Sequence, residues 1–99
     1  MNSIVSISMS GMQAARTQLQ AAAHNVANVP TAEFHREEVE QRAQPGGGVT
    51  ASITRSESVG AALETDVVAQ LQAKNAFLAN LAVFKTADRM AGALFSAHV

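Results

Sequence analysis

The chain has 99 residues, with seven basic and eight acidic side chains and no cysteine. This length supports one domain, and the net charge of −1 favours neither nucleic acid nor an anionic membrane as a partner. The absence of cysteine excludes disulfides and thiolate metal sites.

Charge is distributed unevenly along the chain. Residues 1–32 carry one charge, residues 67–99 carry four, and the segment between them carries the other ten. We therefore expect both ends to be buried in contacts and the middle to face water.

Residues 2–29 are predicted to form a first long helix. Alternating steps of three and four residues reach Val5, Ser8, Met12, Ala15, Leu19, Ala22, Val26 and Val29. This is a heptad pattern, and its many small residues allow close helix approach while burying little area each. Asn28 and Pro30 are expected to end the helix, because Asn tolerates the left-handed conformation and Pro cannot continue a helix.

Residues 30–62 are predicted to be a polar connector. Six of the ten residues from Glu33 to Arg42 are charged, and Pro45–Gly48 has the composition of a turn. The segment Val49–Thr54 alternates apolar and polar residues, as a half-exposed strand does. Phe34–Glu40 can pair with that strand across the turn, so the connector is expected to hold a small β-hairpin.

Residues 63–97 are predicted to form a second long helix. The segment has no proline and one glycine, Gly92, and its apolar residues recur at helical spacing. They cover more than one side of the helix, so several neighbouring helices are needed to bury them. These neighbours belong either to the same chain or to other copies. The fold class is therefore mainly α, in one domain over residues 1–99.

No pattern of catalytic residues is found. His24, His35 and His98 are far apart, and His24 has no carboxylate or histidine three or four residues later, so a satisfied or solvent-edge histidine is favoured over a ligand. The acidic segment 37–40 lies in charge-rich sequence, where carboxylates are usually solvated. Glycines 46–48 lack the Lys-Ser/Thr of a phosphate loop. We expect no enzymatic activity, cofactor, metal or small-molecule substrate.

Asparagines in the helical segments carry more information. Asn is a mediocre helix former and is unfavourable to bury without a partner. For Asn75, exposure at the surface explains the residue equally well. For Asn25, Asn28 and Asn80 we favour inter-helix hydrogen bonds that set the register of associating helices. This hypothesis predicts that Asn80→Leu keeps helicity and loses a defined assembly.

Two segments resemble the terminal signatures of bacterial flagellar rod and hook proteins. The first is Ser10-Gly11-Met12-Gln13-Ala14, then Leu19, then Ala23-His24-Asn25-Val26-Ala27-Asn28-Val29-Pro30-Thr31. It is similar to that family's S-G-L-x-A, leucine and A-x-N-I-A-N-x-x-T-x-G-F/Y. The second, from Gln72 to Met90, is similar to the family's Q-A-Q-x-x-Y-x-A-N-x-x-V-x-x-T-x-D-x-M. Together the two segments cover about half of the chain.

The resemblance implies a structural role in the flagellar basal-body rod. The two terminal helices would pair as an antiparallel hairpin or coiled coil and associate with other copies and with homologous axial proteins. Export would use the flagellar type III apparatus, without a cleaved signal peptide and without membrane insertion. The residues expected to serve assembly and helix packing are Met12, Leu19, Asn25, Val26, Asn28, Leu71, Phe77, Leu78, Asn80, Leu81, Phe84 and Met90.

The chain departs from the family pattern at three points. Glu33 stands where the signature has glycine, and a residue with a Cβ adopts positive φ unfavourably, so we expect the chain to leave the first helix differently. Phe77 replaces the usual tyrosine. The middle segment is short, which makes the chain most similar to the small proximal rod subunits.

Two other functions remain open. One is a soluble helical binding module or chaperone-like regulator that binds a client with its apolar helix face. The other is a needle-like subunit of a type III secretion system. A monodisperse helical complex that never extends favours the binding module, and flagellar genes beside the coding sequence favour the rod.

Overall fold

The computed structural model describes residues 2–97. These residues form helix α1 (Asn2–Ala27), strands β1 (Glu37–Ala43) and β2 (Val49–Arg55), and helix α2 (Leu63–Ala97). The predicted mainly helical fold, with a small antiparallel sheet between two helices, is confirmed. His98 lies outside the described residues.

Helix α1 ends at Ala27, two residues before the predicted end. The Asn28 side chain folds back and donates Nδ2–H to the His24 carbonyl at 2.8 Å. The Thr31 hydroxyl in turn donates to Asn28 Oδ1 at 3.1 Å. The His24 carbonyl also accepts the Asn28 amide proton at 3.1 Å, so Asn28 bonds the last turn of the helix with its backbone and its side chain.

The turn after α1 corrects one expectation. Glu33 adopts φ of 57°, the left-handed conformation that was expected to require glycine. The chain therefore keeps this turn although the residue has a Cβ, at an energetic penalty of about 1–2 kcal/mol.

Strands β1 and β2 form an antiparallel hairpin in which Glu37 faces Arg55 and Ala43 faces Val49. The turn between them contains Gly46, Gly47 and Gly48, all at positive φ of 86–102°. Three consecutive residues in this region are feasible only for glycine, which explains the tri-glycine sequence. The first strand begins at Glu37 and not at Phe34.

The hairpin packs on α1. The amide of Val49 donates to Ser10 Oγ at 3.1 Å, and a Cβ on Gly47 would overlap the end of the Ile7 side chain. At the other end of the hairpin, Glu37 is bonded to Asn25. Helix α1 thus crosses the sheet from the outer edge of β2 to the outer edge of β1.

Helix α2 has 35 residues, about 52 Å at 1.5 Å per residue. Its start lies beside the end of α1, where Asn25 is bonded to Asp66, and its later part lies beside the start of α1, where Ile4 and Met90 line one groove. Residues 91–97 project beyond that groove and are exposed. The described residues form an elongated body of 63 × 24 × 14 Å.

Candidate assembly surface and polar junction

The two helices meet through small side chains. Among the described residues, the buried apolar side chains are Ala14, Ala15, Ala21 and Ala22 of α1 and Ala73 and Ala87 of α2, each at most 4% exposed. An alanine buries little apolar area, so this contact brings the helix backbones close together but contributes modest hydrophobic stabilisation.

The large apolar side chains lie outside that contact. Sixteen of them are 39–77% exposed. Nine are on α2: Leu63, Val67, Val68, Leu71, Leu78, Val83, Met90, Leu94 and Phe95. Four are on α1: Ile4, Ile7, Met9 and Leu19. We call these thirteen residues the apolar helix surface.

The residues predicted to serve packing divide between these environments. Four belong to the apolar helix surface: Leu19, Leu71, Leu78 and Met90. Seven are half-buried: Met12, Val26, Asn28, Phe77, Asn80, Leu81 and Phe84. Asn25 is buried. None of the large apolar residues in the predicted set is therefore fully covered within one chain.

Two apolar grooves open along the helix pair. One, of about 390 Å³, is lined by Ile4, Ala82, Val83, Thr86, Ala87 and Met90. The other, of about 120 Å³, is lined by Ala15, Arg16, Leu19, Ala73, Lys74, Phe77 and Leu78. Each groove takes residues from both helices, so a side chain from another helix that enters it would contact α1 and α2 together.

The junction of α1, β1 and α2 is polar instead. Asn25, 2% exposed, accepts the Glu37 amide proton on Oδ1 at 2.7 Å and donates Nδ2–H to the Glu37 carbonyl at 2.9 Å. Its second Nδ2 proton goes to Asp66 Oδ1 at 3.1 Å. One side chain thus joins three elements and uses both of its protons.

An ion pair completes this junction. Asp66, 2% exposed, receives Arg36 Nε–H on Oδ2 at 3.0 Å and the Arg36 Nη2 proton on Oδ1 at 2.5 Å. This two-pronged geometry is the strongest arrangement available to a guanidinium and a carboxylate. We call Asn25, Arg36 and Asp66 the polar junction.

The environment of Asp66 keeps it ionised. Burial by itself raises the pKa of this carboxyl, but hydrogen bonds from Arg36 and Asn25 and the positive charge of Arg36 outweigh it, so the pKa lies below its ordinary 3.8. Asp66 also lies in the first turn of α2, where the helix dipole favours a negative charge.

The other two asparagines bond within their own helical segments. Asn28 bonds its own helix end, and Asn80 donates Nδ2–H to the Ala76 carbonyl of its own helix at 2.8 Å. Within the chain, neither forms the inter-helix hydrogen bond that was expected. Asn80 does mark a close approach of the helices, because a Cβ on Gly11 would overlap the Asn80 amide.

Of the residues considered for catalysis, the described part of the chain brings His24 and Glu37 together. His24 Nε2 lies 3.6 Å from Glu37 Oε1, and the His24 side chain is about half exposed. The described residues contain no group of three His, Cys, Asp or Glu side chains arranged to hold a metal ion. Within residues 2–97, neither helix combines the length and hydropathy needed to span a bilayer.

Two members of the polar junction were missed from the sequence. Arg36 was grouped with the solvated charges of the connector, and Asp66 with the charged middle of the chain. A signal was present, since Asp66 stands next to the apolar pair Val67-Val68 at the start of a helix that is otherwise poor in charge. For Asn25 the sequence favours an inter-helix hydrogen bond, and the bond to Asp66 does join α1 to α2. Its second partner, Glu37 of β1, was not predicted.

No protein-family model matches the chain, and no curated protein matches it.

Proposed function

We propose that the chain is a structural subunit of the bacterial flagellar basal-body rod. It acts by helix self-association and by packing with homologous axial proteins, after export through the flagellar type III apparatus. The observation that carries this proposal is the contrast between an alanine-lined core and a large exposed apolar helix surface. Such a chain leaves most of its apolar free energy to be gained in contacts with other subunits.

The helix pair is the proposed assembly unit. Gly11 lies against Asn80 near the middle of both helices, and Asn25 is bonded to Asp66 at one end. Successive positions of α1 therefore lie beside progressively earlier positions of α2, which supports an antiparallel coiled-coil hairpin. Close approach at Gly11 and at the alanines makes the hairpin thin, so apolar residues remain on its outer faces.

The two terminal motifs agree with this role. Each motif contributes residues to the alanine-lined contact, Ala14 in the first and Ala73 and Ala87 in the second. The motifs also contain the pair Gly11 and Asn80, where the helices come closest. The segments that resemble the rod and hook signatures are thus the segments that build the helix pair.

A matched pair of charge substitutions tests the proposal. Leu94→Glu places a carboxylate on the apolar helix surface, where Leu94 is 58% exposed. Ser96→Glu adds the same charge two residues later, about 200° around the helix. We expect neither variant to lose helicity, because both positions are exposed.

The readout is incorporation into basal bodies purified from the source bacterium. We expect the unmodified chain and Ser96→Glu in the basal-body fraction, and Leu94→Glu depleted from it together with motility. A chain that stays entirely in the cytosol, or Leu94→Glu that incorporates as well as Ser96→Glu, would contradict the proposal. A closed complex of defined size that never extends would favour a helical binding module instead.

A further inference from the structure

We propose that strand β2 pairs with β2 of a second copy to form a four-stranded sheet across a twofold axis. This contact goes beyond the rod proposal and does not depend on it, because it uses backbone groups of the hairpin and not the apolar helix surface.

The hairpin register defines which backbone groups face outward. Ser56 donates its amide proton to the Arg36 carbonyl at 2.7 Å, and Gln44 donates to the Gly48 carbonyl at 3.0 Å, so even-numbered residues bond within the hairpin. In an antiparallel pair the alternate residues direct their amide and carbonyl groups away from the partner strand. The odd-numbered residues of β1 and β2 therefore supply the two outer edges.

Helix α1 occupies one end of each edge. Asn25 takes both outward groups of Glu37 on β1, and Ser10 takes the Val49 amide on β2. Among residues 2–97, no hydrogen bond from outside the hairpin reaches the backbone of Ala51 or Ile53. These two residues form the open part of the β2 edge.

The two edges differ in charge. Four of the seven β1 residues are charged, whereas β2 carries only Arg55, at its end. Charged side chains along an edge hinder pairing with another strand. The β2 edge has no such protection and no glycine or proline in its seven residues.

A second β2 is the occupant that fits this edge best. In an antiparallel pair centred on Ser52, Ala51 of each strand lies opposite Ile53 of the other. The outward backbone groups of these four residues are then all hydrogen-bonded. The two Arg55 residues lie at opposite ends of this pair, so no like charges meet. Both outer edges of the four-stranded sheet are then β1 strands. Their charged side chains hinder further pairing, so the sheet ends there.

Disulfide trapping tests this register, since the chain has no cysteine of its own. Ser52→Cys places two thiols directly opposite each other, where Cα atoms are about 4.5 Å apart, within reach of a disulfide. Thr50→Cys is the control. In this register Thr50 of one strand lies opposite Thr54 of the other, so the two copies of residue 50 are four residues, or about 14 Å, apart. Both side chains are exposed on the same face.

We expect oxidation of the full chain to cross-link Ser52→Cys faster than Thr50→Cys, on the order of tenfold or more, because pairing holds the thiols in place. Ala51→Pro in the Ser52→Cys chain removes an outward N–H, and this chain should cross-link no faster than Thr50→Cys. Gln41→Pro removes the equivalent outward N–H of β1 and should leave it intact. Equal cross-linking of Ser52→Cys and Thr50→Cys overturns the proposal.

A side-chain test avoids any backbone change. Ser52→Lys alone should prevent dimer formation in analytical ultracentrifugation, and mixing it with Ser52→Glu should restore a dimer through opposite charges. Failure of the mixture to associate any better than either variant alone overturns the pairing. Leu94→Glu in the Ser52→Cys chain should cross-link as fast as the parent, which separates this contact from assembly through the helices.

Discussion

The two ends of the helix pair are built in opposite ways. At one end Asn25, Arg36 and Asp66 form a polar junction in which the protons of Asn25 and both oxygens of Asp66 have partners inside the chain. At the other end Met90, Leu94 and Phe95 are 55–77% exposed. The hydrogen-bonding groups of the first end are satisfied within one chain, and the second end offers apolar area that this chain does not cover.

Because of this difference, the features that specify the fold are not the ones that supply the apolar free energy. Buried hydrogen bonds and ion pairs are directional, so the polar junction sets how α1, β1 and α2 meet. The alanine contact adds close packing but little burial. Much apolar area stays uncovered within one chain, so the stability of one chain should depend strongly on the junction.

The largest predicted effect comes from breaking the ion pair. Arg36→Ala leaves Asp66 charged and buried without its partner, which should lower the free energy of unfolding by about 3–5 kcal/mol. Urea titration followed by circular dichroism measures the loss. The matched control is Arg42→Ala, because Arg42 pairs with Glu40 on the exposed face and such pairs contribute about 0–1 kcal/mol. If both substitutions lowered the free energy of unfolding equally, the buried ion pair would stabilise the fold no more than the exposed one.

Acid should weaken the same end of the molecule. The pKa of Asp66 is lower in the folded chain than its ordinary 3.8, so the unfolded chain binds more protons as the pH falls. The contribution of Asp66 is therefore complete above its ordinary pKa and is lost as the pH falls through the folded pKa. Asp66→Asn should be less stable at neutral pH and lose less stability between pH 5 and pH 2, measured by urea titrations across that range. The control is Asp88→Asn, which removes an exposed carboxylate from the same helix.

A smaller effect is expected at the helix contact. Gly11→Ala places a methyl group on the Asn80 amide, and overpacking of this kind typically lowers stability by about 1–3 kcal/mol. The higher helix propensity of alanine offsets about 1 kcal/mol of this loss of stability. A double-mutant cycle with Asn80→Ala is therefore the informative measurement, because it isolates the contact between the two residues. We expect a coupling energy of about 0.5–3 kcal/mol. Strict additivity would show that the helices do not meet at this point.

The smallest effect should be a gain. Glu33→Gly relieves the left-handed conformation at φ of 57°, and after the greater freedom of glycine in the unfolded chain is subtracted we expect about 0.5–1 kcal/mol of added stability. Thermal unfolding of Glu33→Gly against Glu33→Ala measures it, because alanine keeps the Cβ. If the two variants unfold at the same temperature, the turn is not strained.

Much of the fold is predictable from local sequence. The spacing of apolar residues and the signals at Asn28 and Pro30 predict both helices to within two residues, and the alternation from Val49 to Thr54 predicts β2. Local patterns also indicate that Asn25 is bonded. They cannot identify its partners, because Glu37 and Asp66 are 12 and 41 residues away in the sequence and come close to Asn25 only in the folded chain. The glycine of the signature pointed to a positive φ at the position of Glu33, but the Cβ of this residue argued against it, and the structure has φ of 57° there.

Helix α2 continues for seven residues past the groove shared by Ile4 and Met90, about 10 Å of helix. In the rod that we propose, this projecting tip would reach past its own helix pair and contact a subunit of the next layer. A load that bends or shears the proposed rod would then have to slide helices along one another.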